Sequence, residues 1–256
     1  MKVPPIFVSY GTPGLALDRA WGAELAAWAR SLPRPRGILA IGAAWHEAVP
    51  TRGSTAARPA TLHDDDAERF SPELAALRYP APGAPELAYE LHALAPIARA
   101  EGRGRDHGVW CPLLHMYPDA DIPVLQLSLV LGASPRRLYG LGRRIGVLAE
   151  RGYLLMGSGA ITDGDTAIEG EVPVDDGARA FDAWVANALA DAEMEALLAW
   201  RAKAPHARQA HPAHARKLDP LFVIAGAASL YDHAVGFPVR GFDHGTVSRR
   251  SVQFGR

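Results

Sequence analysis

Short, nearly uninterrupted apolar runs alternate along the chain with longer stretches whose apolar positions recur every three or four residues. The runs suit strands buried on both faces, and the periodic stretches suit helices with one apolar face. Ile6–Ser9 (IFVS), 37–43 (GILAIGA), 123–129 (PVLQLSL) and 153–156 (YLLM) therefore predict strands, with 246–254 closing the set. Helices are predicted over 17–30 (LDRAWGAELAAWAR), 85–100, 135–151, most of 175–200, and 220–230. The fourth strand is expected to break at Gly157-Ser158-Gly159, where the glycines read as a turn. This alternation predicts an α/β fold, a central and largely buried mixed sheet flanked by helices.

No shift in pattern marks a boundary and no repeat is visible, so residues 1–256 are expected to form a single domain. Segment 48–85, rich in Pro, Gly, Asp and Arg, is long for a plain connection and is a candidate loop over a site. Segment 201–212 (RAKAPHARQAHP) reads as an exposed loop. Composition then acts by exclusion. Hydrophobic residues make up 48% and charged residues 21%, ordinary for a globular protein. Lys and Arg number 27 against 28 Asp and Glu, and a net charge of −1 suggests no capture of nucleic acid or anionic membrane. One cysteine, Cys111, allows no internal disulfide and fits a reducing compartment. The N-terminal MKVPPIFVSYGTP has too short an apolar run for a signal peptide, and 221–230 (LFVIAGAASL) is about half a membrane span. A soluble, cytoplasmic protein acting on a small molecule is expected.

Sites in open α/β sheets form beyond the carboxyl ends of the strands. Those ends carry Tyr10, Ala44-Trp45-His46 and Asp163. His107 joins them through its setting, RDHGVWCPLLHMYP (105–118). Asp106 crowds it on one side, and Gly108 on the other lets the backbone turn tightly. Two readings stand here: a hydrogen-bonded turn residue before a short buried helix, or a histidine on a cleft wall.

These pieces together resemble a known family, the class III extradiol ring-cleavage dioxygenases of the LigB type, in particular the DOPA 4,5-dioxygenase branch. The segment DHGVWCPLLHMYPDADIPVLQLSL (106–129) carries most of the likeness. It is joined by LPRPRGILAIGAAW (32–45), TLHD (61–64), RYPAPGAPELA (78–88), GSG (157–159), DPLFVIAGAA (219–228) and SVQF (251–254). The resemblance spans nearly the whole chain and implies the family's fold.

It also implies a non-haem iron or zinc held by histidines at the strand ends, and here the chain departs from the pattern. Tyr10, in YGTP, stands where the family has its first ligand, and Ala44, in GAAW, where it has its second. Asp163 follows the Ser-Gly turn at the third position, and Lys217 falls at the fourth if the following proline is the anchor. Alanine has no donor, and an ammonium cannot ligate without losing its proton. Dioxygenase chemistry also needs open positions on the metal for substrate and dioxygen. No metal and no cofactor is therefore expected.

By contrast His107 stays, flanked by Asp106 and Gly108. In the family the histidine of this motif exchanges protons with catechol hydroxyls or bound oxygen, work suited to imidazole at neutral pH. His63, in TLHD, matches a position near the substrate. The expected catalytic set is His107, Lys217, Asp163 and Tyr10, with His63, Asp106, Trp110 and His46 toward substrate.

Lys217 could stabilise an oxyanion or enolate, attack a carbonyl as a Schiff-base nucleophile, or simply pair with Asp163. His46, two residues past Ala44, would share its face on a continuing strand and with Asp163 and His214 could form a displaced metal site. Cys111 is a candidate thiol nucleophile or a buried core residue. GSGAIT (157–162) lacks the third glycine of a dinucleotide fingerprint, and Asp64-Asp65-Asp66 lacks the spacing of a calcium loop. Three readings follow. The first is a metal-independent acid/base enzyme (a lyase, hydrolase or isomerase type) on a small aromatic, enol or carbonyl compound. The second is a non-catalytic subunit or binding protein, as a homodimer or beside a partner subunit, and the third is a dioxygenase with displaced ligands.

Overall fold

The computed structural model describes residues 2–63, 71–164, 172–210, 216–231 and 234–255. Four fully buried apolar strands form its centre: β1 (Ile6–Ser9), β2 (Gly37–Gly42), β3 (Val124–Gln126) and β4 (Tyr153–Gly159). Two strands close one side, β5 (Val235–Gly236) and β6 (Val252–Phe254). The six run in the order β3-β2-β4-β1-β6-β5. The first four are parallel, while β6 pairs antiparallel with β1 and with β5, so the sheet is mixed.

Helices cover both faces, as the two-sided burial of the strands requires. One layer contains α1 (Arg19–Ser31) and α3 (His107–Met116), packed around Trp21, Trp28 and Trp110 with Ile6, Val8, Ile38 and Ala40. The other contains α2 (Pro85–Leu94), α4 (Pro135–Ile145), α5 (Asp176–Ala190) and α6 (Asp219–Ala228). Phe7, Leu39, Ile41 and Leu155 face this second layer. Alternation along β1 and β2 thus divides neighbouring residues between two cores. Helix α6 is buried at every position, which explains its apolar sequence from Pro220 to Ala228.

Several predicted boundaries shift. The helix expected over 85–100 stops at Leu94, because Pro96 forces the preceding Ala95 into extended backbone. The helix expected over 135–151 is divided at Gly146 into α4 and a short turn, Val147–Glu150. The strand expected over 123–129 splits, Leu129–Val130 leaving the sheet to pair with His46–Glu47. Gly157-Ser158-Gly159 is no break: β4 runs through it, paired with β1 and β2. Segment 201–212 is not simply an exposed loop. It contains helical turns ending at Lys203 and spanning Ala207–Ala210, with Ala207 and Ala210 buried; 211–212 lie outside the described residues.

Candidate active site

The parallel strands deliver their carboxyl ends to one edge. Ser9 lies opposite Gly159, and Gly42 opposite Ser158, so the residues that follow emerge side by side. The Tyr10 amide donates to the Gly159 carbonyl at 2.9 Å, and the next amide, Ala160, donates to the Lys217 carbonyl at 3.0 Å. This approach explains the glycine at 159. A Cβ there would stand 1.9 Å from the Lys217 carbonyl oxygen, so any other residue would push Lys217 off the strand end.

Two polar pairs occupy this edge. The Tyr10 hydroxyl lies 2.9 Å from Nδ1 of His107, with ring centroids 5.8 Å apart. Lys217 Nζ donates to Asp163 Oδ1 at 2.6 Å, with side chains 35% and 19% exposed. That partial exposure keeps the Lys217–Asp163 pair within reach of solvent.

His107 is the first residue of α3, and Asp106 is its N-cap. The Asp106 carboxylate accepts from the Gly108 amide at 3.1 Å and from Gln126 Nε2 at 2.5 Å, with Arg103 Nη2 at 3.3 Å. Asp106 is 1% exposed, so its charge is compensated by this set of donors rather than by water. Gly108 has a steric role as well. A Cβ on it would meet Gly42 Cα and Ser158 Oγ at 3.4 Å, and the Ser158 hydroxyl donates to the Gly108 carbonyl. Helix α3 therefore begins pressed against β2 and β4, and His107 is held at the sheet edge.

His46 takes a different position from the expected one. Strand β2 ends at Gly42, Ala43 and Ala44 turn, and His46 opens the separate pairing with Leu129–Val130. The face shared by alternation with Ala44 is thereby lost. Its Nε2 is buried without a hydrogen-bond partner among the described residues. Burial holds the imidazole below its ordinary pKa, Arg216 adds to that, and Asp106 opposes it. Trp110 is fully buried, its indole donating to the Leu62 carbonyl at 2.9 Å, and its ring packs 5.4 Å from His63. It supports His63 from the core side. Cys111 is also buried, 3.7 Å from the Pro13 carbonyl, while His115 bonds the Leu15 carbonyl at 2.8 Å instead of meeting the thiol. His214 and Asp64-Asp65-Asp66 lie outside the described residues.

Sequence reasoning passed over Gln126, Arg216 and Asp219. Gln126 was readable as the one amide inside an apolar strand. Asp219 begins α6, and burial pushes its carboxyl up to about 6 despite Arg216 at 3.8 Å. A lone acid before a proline carries no signal of burial.

The family model for the catalytic LigB subunit of aromatic ring-opening dioxygenase matches residues 4–252. The chain belongs to the LigB family. A 4,5-DOPA dioxygenase extradiol of Beta vulgaris is 34% identical over 238 residues, covering 87% of this chain and 85% of that protein. One of Portulaca grandiflora is 33% identical, covering 97% and 94%. An uncharacterized Escherichia coli K12 protein, JW3007, has a crystal structure with TM-score 0.81, 27% identity, and coverage of 99% of this chain and 100% of that one. The chain is a LigB-type, extradiol-dioxygenase-like protein, and the α/β sheet is the fold that the resemblance implied. No helix among the described residues is long and apolar enough to cross a membrane.

The residues that the resemblance sets at the family's ligand positions, Tyr10, Ala44, Asp163 and Lys217, make a poor donor set for a divalent metal. Ala44 offers no donor atom, the Tyr10 oxygen is joined to His107, and the Asp163 carboxylate is paired with an ammonium 2.6 Å away. A cation placed there would meet Lys217 charge against charge. Among the described residues no cluster of three His, Cys, Asp or Glu side chains could hold a metal ion.

Proposed function

We propose that this LigB-family protein is an enzyme that transfers protons without a metal, acting on a small aromatic, enol or carbonyl compound. What carries the reading is the pair of contacts at the sheet edge, Tyr10 to His107 and Lys217 to Asp163. His107 moves the proton. Its Nδ1 is engaged by Tyr10, so the tautomer decides its role. With Tyr10 accepting from Nδ1–H, Nε2 takes the proton as the base, and the imidazolium so formed gives it back as the acid. Lys217 takes the electrostatic part, facing the negative charge that develops on an enolate or phenolate oxygen. Lys217 Nζ is engaged as a donor to the Asp163 carboxylate at 2.6 Å, which speaks for this role over Schiff-base attack, where the nitrogen must offer a lone pair to carbon. His63 flanks the substrate, and Asp106, buried at the helix N-terminus, fixes His107 without touching the substrate.

The test has two parts. Protein purified without chelators should hold well below one iron or zinc per chain by elemental analysis. Catechols, DOPA among them, should give no ring-opened product even with added ferrous iron. A tightly held metal at one per chain, or ring opening dependent on ferrous iron, would return the protein to the ordinary dioxygenase reaction. Against enols and 2-oxo acids in deuterated water, proton NMR should show exchange at the carbon beside the carbonyl, lost in Lys217→Met. Exchange that survives His107→Ala and Lys217→Met alike would move the chemistry to other residues, and no exchange above the uncatalysed rate with any of these compounds would leave the subunit reading ahead.

A further inference from the structure

An open cleft of about 740 Å³ lies beside the sheet and contains none of the site residues above. Its floor is apolar, from Leu138 and Leu141 on α4 and from Val49, Ile97 and Val130 on the facing segments. Arg137 and Arg144 also line it, and His92 of α2 closes one side. A second recess of about 220 Å³ continues past His92 and Ile97.

The spacing on α4 is informative. Residues 137, 138, 141 and 144 fall on one helical face, so the two guanidiniums bracket two leucines. Seven residues of helix separate the arginines by about 10 Å along the axis. Neither guanidinium has an ion-pair partner among the described residues, although Arg136 on the same helix is paired with Glu195. Two unpaired cations beside a concave apolar floor match a ligand with a hydrocarbon body and a negative end. The volume lies within the usual range for a small-molecule pocket, roughly 300–1,000 Å³.

We infer that this cleft binds an elongated carboxylic acid, its chain lying along Leu138 and Leu141 and its carboxylate held by Arg137 or Arg144. An extended chain of about eight carbons matches the axial separation of the two arginine positions along α4. Nothing in this assignment depends on the chemistry at the strand ends.

Isothermal titration calorimetry of the full chain with octanoate, 1-octanol and acetate tests it. Octanoate should bind saturably, with octanol and acetate each weaker by at least about tenfold, since one lacks the charge and the other the apolar body. The double variant Arg137→Gln/Arg144→Gln should weaken octanoate by about tenfold or more while leaving the melting temperature unchanged, because both side chains are exposed and have no ion-pair partner among the described residues. Leu141→Asp should weaken octanoate as well. Equal affinity for octanoate and octanol would overturn the proposal, as would full binding by the double variant. A dimer that buries α4 and dissociates on Leu141→Asp would assign the cleft to a second copy of the chain and overturn it too. Binding to vesicles of anionic lipid without binding of octanoate would do the same.

Discussion

The two halves of the site carry comparable charges and hold them differently. On the α3 side, Asp106 is 1% exposed, caps a helix, and accepts hydrogen bonds from a backbone amide, a glutamine and an arginine. On the far side, Lys217 and Asp163 meet in one contact with 35% and 19% of their side chains exposed. A buried carboxylate with several donors is fixed in place, and its loss leaves those donors without a partner. A half-exposed pair competes with water and stays free to turn toward a ligand. In the function proposed above, the first half positions His107 and the second answers a charge that arrives or develops.

The largest expected effect follows from breaking the first half. Asp106→Ala strands Gln126, Arg103 and the Gly108 amide around a buried void, and should cost about 3–5 kcal/mol. For a chain of this length that lowers the melting temperature by roughly 10 °C, measurable by calorimetry or circular dichroism. A shift of only a degree or two would mean that Asp106 does not anchor α3.

His107→Ala separates function from stability on the same half. A general acid/base contributes about 10²–10⁴-fold to rate, so turnover of any substrate found by the exchange screen should fall by that factor. The fold should survive, because the cap, the glycine contact and the Gln126 bonds all belong to neighbouring residues. The decisive reading is turnover at equal melting temperature. Near-normal turnover would make the Asp-His-Gly segment structural.

The two halves also differed in how far the sequence revealed them. Apolar runs identified β1 to β4 because a strand buried on both faces tolerates few polar residues, and Ile6–Ser9 appears as predicted. Gly157 and Gly159 misled because glycine marks both turns and close approaches. At 159 the reason is the Lys217 carbonyl, which lies 58 residues further along the chain and is invisible to local pattern. His46 misled similarly, since alternation assumes a strand that continues, and β2 ends at Gly42. The link from Tyr10 to His107 crosses 97 residues and could be expected only through the family resemblance. Asp219 gave no signal at all, because its burial is a property of packing.

Asp219 sharpens the comparison through pH. Its folded pKa, about 6, lies above the unfolded value of 3.8, so the folded state binds the proton more tightly. Its ionisation therefore penalises the fold: the penalty is absent below pH 4, grows between 4 and 6, and is complete above 6. A shift of this size corresponds to about 3 kcal/mol. Asp219→Asn should raise the melting temperature by several degrees at pH 8 and leave it nearly unchanged at pH 4. His46 contributes in the opposite sense. Its lowered pKa costs stability as pH falls through the unfolded value of 6.5, so the Asp219 effect is read as a difference between variant and parent at each pH. An equal gain at both pH values would mean that Asp219 does not titrate between them.

The smallest effect belongs to the second half and tests the contrast directly. Lys217→Met removes the ammonium but keeps much of the side-chain volume, leaving Asp163 to be solvated at a part-exposed site. Exposed and half-exposed pairs are worth about 0–1 kcal/mol after screening, so the melting temperature should move by no more than about 3 °C. Raising the salt concentration should weaken the parent's pair and narrow even that difference. If Lys217→Met instead costs as much as Asp106→Ala, the lysine and Asp163 form a structural clamp between the end of β4 and the start of α6. An ammonium committed to such a clamp would not be available to a substrate oxyanion, and the electrostatic role proposed for Lys217 would fail on stability data alone, before any substrate is known.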